Sequence, residues 1–134
     1  MSKLFERLQD PVRSGVYRVT RSDAVDEVMP DAARIDLKDG NALRAIAKAL
    51  HFPDWFGGNW DALEDCLGDL SWRSDNGHVL VFLNWQALSS DDLGLLIDIL
   101  RSSAESWQGR GKPFFAVLLD PQGRLALPPL YRES

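Results

Sequence analysis

Apolar residues along this chain follow two rhythms. The runs Val79-Leu80-Val81-Phe82-Leu83 and Phe114-Phe115-Ala116-Val117-Leu118-Leu119 are apolar without interruption and rich in β-branched and aromatic side chains. Runs of that length and make-up fit strands covered on both faces, as in a parallel sheet. Two shorter segments also read as strands. Gly15-Val16-Tyr17-Arg18-Val19-Thr20 is one, and Arg34-Ile35-Asp36-Leu37 alternates before an Asp39-Gly40 turn. Elsewhere the spacing changes to three and four. Lys3–Gln9 fits a short amphipathic helix stopped before Pro11, and Ser22 is placed to cap a helix over Asp23–Val28 that Pro30 ends. Asn41 is placed to cap a helix through Leu50, with Leu43, Ile46, Ala47 and Leu50 on its buried side. Ser89 or Ser90 opens a helix to about Ser106 whose core stripe is Leu93, Leu96, Ile97 and Leu100, and Gly109 and Gly111 break it. Residues Asp120 to Ser134 hold three prolines and little periodicity, which predicts a tail packed on the surface. Strands alternating with helices predict an α/β layer with a mainly parallel sheet.

The stretch from His51 to Leu70 departs from these plain patterns. An aromatic, glycine-rich loop, His51-Phe52-Pro53-Asp54-Trp55-Phe56-Gly57-Gly58, leads into a helix opened by Asn59-Trp60-Asp61. At roughly 100° per residue, Asp61, Glu64, Asp65 and Asp69 fall within an arc of about 140°. Leu63, Cys66, Leu67 and Leu70 take the opposite side, with Trp60 at its margin. Asn59 is placed to cap the first turn, and Asp61 lies where the positive helix end favours a carboxylate. Gly57 and Gly58 permit a turn that most residues resist, and it carries Trp55 and Phe56, of which at least one is expected to be exposed. Acids at these spacings repel one another by a few tenths of a kcal/mol per pair. No basic residue between Asp54 and Trp72 relieves that repulsion. A solvated face is the ordinary reading of such a helix, whereas uncompensated charge beside a shaped loop points to a docking surface.

Composition narrows the classes of function. A chain of 134 residues with 45% apolar side chains can bury the core of one domain. Net charge −5 argues against nucleic acid as the direct ligand and favours a basic partner. No stretch is long enough to span a bilayer, and the first residues lack the apolar core of a secretory signal. A single cysteine forms no intramolecular disulfide, so the expected location is the cytoplasm. Catalytic candidates are few: Cys66 on the apolar side of its helix, His51 and His78. Neither histidine has a metal-ligand spacing, and no phosphate-binding glycine motif is present. The expectation is a protein that is not an enzyme and uses no metal or cofactor.

The residues Pro53, Trp55-Phe56, Gly57, Asn59, Asp61-Ala62-Leu63 and Asp65-Cys66-Leu67 stand in a register that resembles the barstar family, intracellular inhibitors of barnase-type ribonucleases. Weaker agreement extends over Leu80–Trp85 and Phe114–Leu119, so that the likeness covers roughly Arg34 to Asp120. The resemblance implies a barstar-like α/β fold, a small parallel sheet of three core strands packed against helices, with room for one added N-terminal strand. Residues 1–33 then form an N-terminal extension, 34–120 the core and 121–134 a C-terminal tail of one domain. It also implies a function, in which the loop and acidic helix plug the active site of a basic ribonuclease. By carry-over, Asp65 faces the enzyme's arginines and catalytic histidine, Asp61 pairs with other basic groups, and Trp55 stacks on the edge of the active site. Gly57, Gly58 and Asn59 shape the loop, while Glu64, Gly68 and Asp69 complete the partner-binding surface. The family's best-known member has tryptophans at the positions of Glu64 and Leu70, a threonine at Gly68 and an acid at Ser102. The function so implied is that of a cytoplasmic guard against a secreted or toxic nuclease, and a monomer is the expected state. The alternative is a barstar-like interaction module whose partner is not a nuclease.

Overall fold

The computed structural model describes residues 3–54, 56–73 and 77–131. In it the two uninterrupted apolar runs become neighbouring central strands of one sheet. In chain order the strands are β1 (Gly15–Val19), β2 (Ala33–Asp36), β3 (His78–Leu83) and β4 (Phe114–Leu119). Their order across the sheet is β1-β4-β3-β2, and every ladder is parallel. Helices α1 (Lys3–Leu8), α2 (Asp23–Val28), α3 (Ala42–Ala49), α4 (Trp60–Asp69) and α5 (Ser90–Gly109) connect and cover them. No described helix is long and apolar enough to cross a membrane.

Burial on both faces explains why β3 and β4 show no alternation. Leu80, Phe82, Phe114, Ala116 and Leu118 face a core shared with α3, α4 and α5. Val79, Val81, Phe115 and Val117 face a second core with Leu8 of α1, Val25 of α2 and Leu130 of the tail. At the sheet's edge β2 keeps the alternation expected of it, with Ile35 buried between exposed Arg34 and Asp36. Each large apolar side chain fully removed from water contributes about 1.5–3 kcal/mol against exposure. One truncation in either core therefore outweighs any single surface change.

The structure refines three expectations. The tail is not merely laid on the surface: Arg18 N donates to Pro128 O (2.9 Å), and Leu130 N donates to Arg18 O (3.0 Å). It thereby covers the outer edge of β1, as unpaired strand edges require, and buries Leu127 and Leu130. Buried Asp120 starts this segment by accepting the amides of Arg124 (3.0 Å) and Leu125 (2.8 Å). Second, Ser22 occupies the cap position of α2 without a side-chain cap bond, and Asp23 accepts the amide of Ala24 instead. Third, α5 continues past Ser106 to Gly109, which adds buried Trp107 to its stripe. Gly111, at φ +73°, then turns the chain toward β4.

Candidate functional site: an acidic helix face on a fixed base

Helix α4 begins where the sequence places it. Asn59 is extended (φ −127°, ψ 174°), and its Oδ1 accepts the amide of Ala62 at 2.8 Å. This satisfies one of the donors that the first helical turn leaves free. Of the two glycines before it, only Gly58 has a positive φ, +72°, and no atom lies within 4 Å of where its Cβ would stand. Its requirement for glycine is conformational rather than steric. Phe56 is half-buried, packing edge-on against Phe52 (4.9 Å between centroids), which in turn meets Trp72 edge-on at 5.7 Å. Trp55, read as the stacking aromatic, lies outside the described residues.

The two faces of α4 separate as the helical spacing predicts. Leu63, Cys66 and Leu67 are fully buried, and Leu70 is almost so. Asp61, Glu64, Asp65 and Asp69 are exposed, as are Gly57, Gly58 and Asn59, while Gly68 is half-buried. Among the described residues the ion pairs are Arg21–Asp23 and Arg34–Asp26, so none involves an acid of α4. Asp69 accepts the Ser71 hydroxyl at 3.1 Å. The field of these acids reaches inward: burial chiefly, then the charges of Asp65 and Asp69, push the Cys66 thiol above its ordinary range.

The far end of α4 is held by residues that the sequence reading did not include. Trp107 Nε1 donates to Leu67 O (2.8 Å), and Arg110 Nη2 donates to Gly68 O (2.6 Å). The Arg110 guanidinium lies 3.8 Å from the Trp107 ring centroid. Helix C-termini leave carbonyls unpaired, and a cation there also complements the helix dipole. Leu70 closes the helix in a left-handed conformation, φ 46°, that a non-glycine residue adopts only under constraint. Its burial and the clamp from α5 supply that constraint. One signal for Trp107 was present, because it stands seven residues after Leu100 on the α5 stripe. Arg110 had none.

The catalytic candidates of the sequence are dispersed among the described residues. Cys66 makes no hydrogen bond with either histidine among the described residues, where His51 is exposed beyond α3 and buried His78 packs edge-on against Trp107. Among the described residues no three His, Cys, Asp or Glu side chains form a group able to hold a metal ion. Cavities of about 770, 370 and 600 Å3 lie elsewhere, and none of these three is lined by an α4 residue. What the arrangement presents is a negatively charged, exposed helix face with its backbone held at both ends.

Comparison with known proteins bears on the same surface. A search of curated proteins finds no match. The family model described as Barstar (barnase inhibitor) matches residues 22–119. That stretch runs from the cap of α2 to the end of β4, and it contains the loop, Asn59 and all four acids of α4. With the greater part of its length matched and the acidic helix inside the match, this chain belongs to the barstar family.

Proposed function

We propose that this protein inhibits a basic ribonuclease of the barnase type from within the cytoplasm. In this reading the loop over residues 52–58 and the acidic face of α4 occupy the enzyme's active-site cleft. A ribonuclease cleft must attract a polyanion, so an inhibitor that presents carboxylates at fixed positions is drawn into it and excludes substrate. Asp65 and Asp61 pair with the cleft's basic groups. Glu64 and Asp69 extend the negative field, and Gly57, Gly58 and Asn59 hold the loop in a shape that lets the helix enter. The partner is thus a protein, met by a single copy of this chain, and the biological role is that of an immunity protein guarding a cell against a toxic nuclease.

The observation that carries the reading is the set of exposed acids that enter no ion pair among the described residues, on a helix whose other face is buried. Mutual repulsion among these acids costs the free helix a few tenths of a kcal/mol per pair, and a basic partner relieves it. The deciding experiment measures inhibition of a purified barnase-type ribonuclease by the wild type and by Asp65→Ala. The reading requires inhibition by the wild type and its loss in the variant. Absence of inhibition by a folded wild type overturns it and leaves the non-nuclease interaction module in its place.

A further inference from the structure

Net charge averages over a surface that is far from uniform. Beside β2, the last strand in the sheet order, and the outer side of α3 runs a groove of about 600 Å3, whose lining sets Arg34, Lys38, Arg44 and Lys48 against the two carboxylates Asp36 and Asp39. Its excess is positive in a chain of net charge −5. Arg34 is paired with Asp26, whereas Lys38, Arg44 and Lys48 enter no ion pair among the described residues. Arg44 and Lys48 stand one turn apart on α3, a spacing at which like charges repel. Asp36 is engaged by Asn84 Nδ2 (2.7 Å) and by the amide of Lys38 (3.0 Å).

The end of the groove is shaped by a strained residue. His51 sits just past α3 at φ 54°, and Phe52 N donates back to Ala47 O at 2.9 Å. This is the helix-ending position that glycine usually takes. An exposed imidazole is kept there at a conformational cost, and it lines the groove. Charges along an open strand edge deter edge-to-edge pairing, which accounts for Arg34, Asp36 and Lys38. It does not account for Arg44, Lys48 or His51.

We propose that this groove binds a nucleotide. Arg44, Lys48 and Lys38 receive the phosphate, with the planar guanidinium of Arg44 matched to phosphate oxygens. Asp39 accepts a hydrogen bond from a sugar hydroxyl, and the His51 ring stacks on the base. The two carboxylates within the lining offer acceptors to a ligand that brings hydroxyl donors with its phosphate. The volume lies within the range of small-ligand sites. No described residue of α4 or of the loop over residues 52–58 lines the groove, so nucleotide binding and nuclease inhibition are tested separately.

The test follows amide NMR shifts of the whole protein during titration with uridine monophosphate, an oligouridylate and inorganic pyrophosphate. The expected result is saturable shifts at Arg44, Lys48 and His51 with uridine monophosphate, with pyrophosphate about ten-fold weaker. Tighter binding of the oligouridylate assigns the nucleotide to an RNA strand, and equal binding assigns it to free nucleotides. The double variant Arg44→Glu with Lys48→Glu, both exposed positions, loses about ten-fold or more in affinity. His51→Gly raises the melting temperature by relieving the left-handed strain and yet weakens nucleotide binding by about three-fold. A gain in stability with nucleotide affinity unchanged overturns the stacking assigned to His51. Absence of shifts in the folded wild type at millimolar nucleotide overturns the proposal, as does unchanged affinity in the double variant. Pyrophosphate binding as tightly as the nucleotide also overturns it.

Discussion

Helices α3 and α4 open with the same device and present opposite surfaces. Each starts on an extended asparagine whose Oδ1 accepts the amide three residues on: Asn41 from Arg44 at 3.0 Å, Asn59 from Ala62 at 2.8 Å. Each lays buried side chains on the same core, Ile46 and Leu50 from one, Leu63 and Leu67 from the other. Outward, α3 carries Arg44 and Lys48, whereas α4 carries Asp61, Glu64, Asp65 and Asp69. The inward residues decide that a helix forms and where it sits. The outward residues are under no such demand, so their charge is available for recognition. Two helices with equivalent bases and opposite faces let folding and recognition be separated by substitution.

The largest effects should come from the shared base. Leu67→Ala and Ile46→Ala each remove a fully buried side chain, and each should cost about 2–5 kcal/mol of folding stability in urea titrations. A loss below 1 kcal/mol, as a rough bound for a surface site, would mean that the helix concerned does not rest on this core. Next come the caps. Asn41→Ala and Asn59→Ala should each lower stability by about 1 kcal/mol, since both remove an equivalent bond. Thermal unfolding of the pair side by side checks this, and a neutral result at one helix alone would break the equivalence. The smallest change is expected at the acidic face. Asp65→Ala should leave stability unchanged or raise it by a few tenths of a kcal/mol, because it relieves repulsion from Asp61, Glu64 and Asp69. A marked loss of stability would assign Asp65 a structural role that its exposure does not suggest.

How much of this was legible in the sequence depends on the distance over which each feature is decided. The strands, the Asn59 cap and the division of α4 into acidic and apolar faces rest on spacings of a few residues, and the residues themselves carry them. The clamp on α4 does not: Trp107 and Arg110 reach Leu67 and Gly68 across 40 and 42 positions. Only the packing of α5 beside α4 brings them together. The edge pairing of the tail was illegible for a related reason, since Pro128 and Leu130 meet the edge of β1 more than a hundred residues earlier. Gly57 and Gly58 look alike in the sequence, yet only Gly58 takes the left-handed conformation. Which glycine a turn needs is settled by where the loop must deliver Asn59.

The claim at the centre is that the acids of α4 form the surface that meets a basic nuclease. Truncating one member of a buried charge pair generally costs about 2–5 kcal/mol, a figure that draws in part on a complex of this same family. A more direct test measures the association rate with a purified barnase-type ribonuclease by stopped flow across a range of ionic strength, for the wild type and Asp65→Ala. Steering by α4 predicts a wild-type rate that falls steeply as salt rises, with a slower rate and a shallower slope in the variant. A wild-type rate indifferent to salt, or equal slopes for the two proteins, would contradict the account.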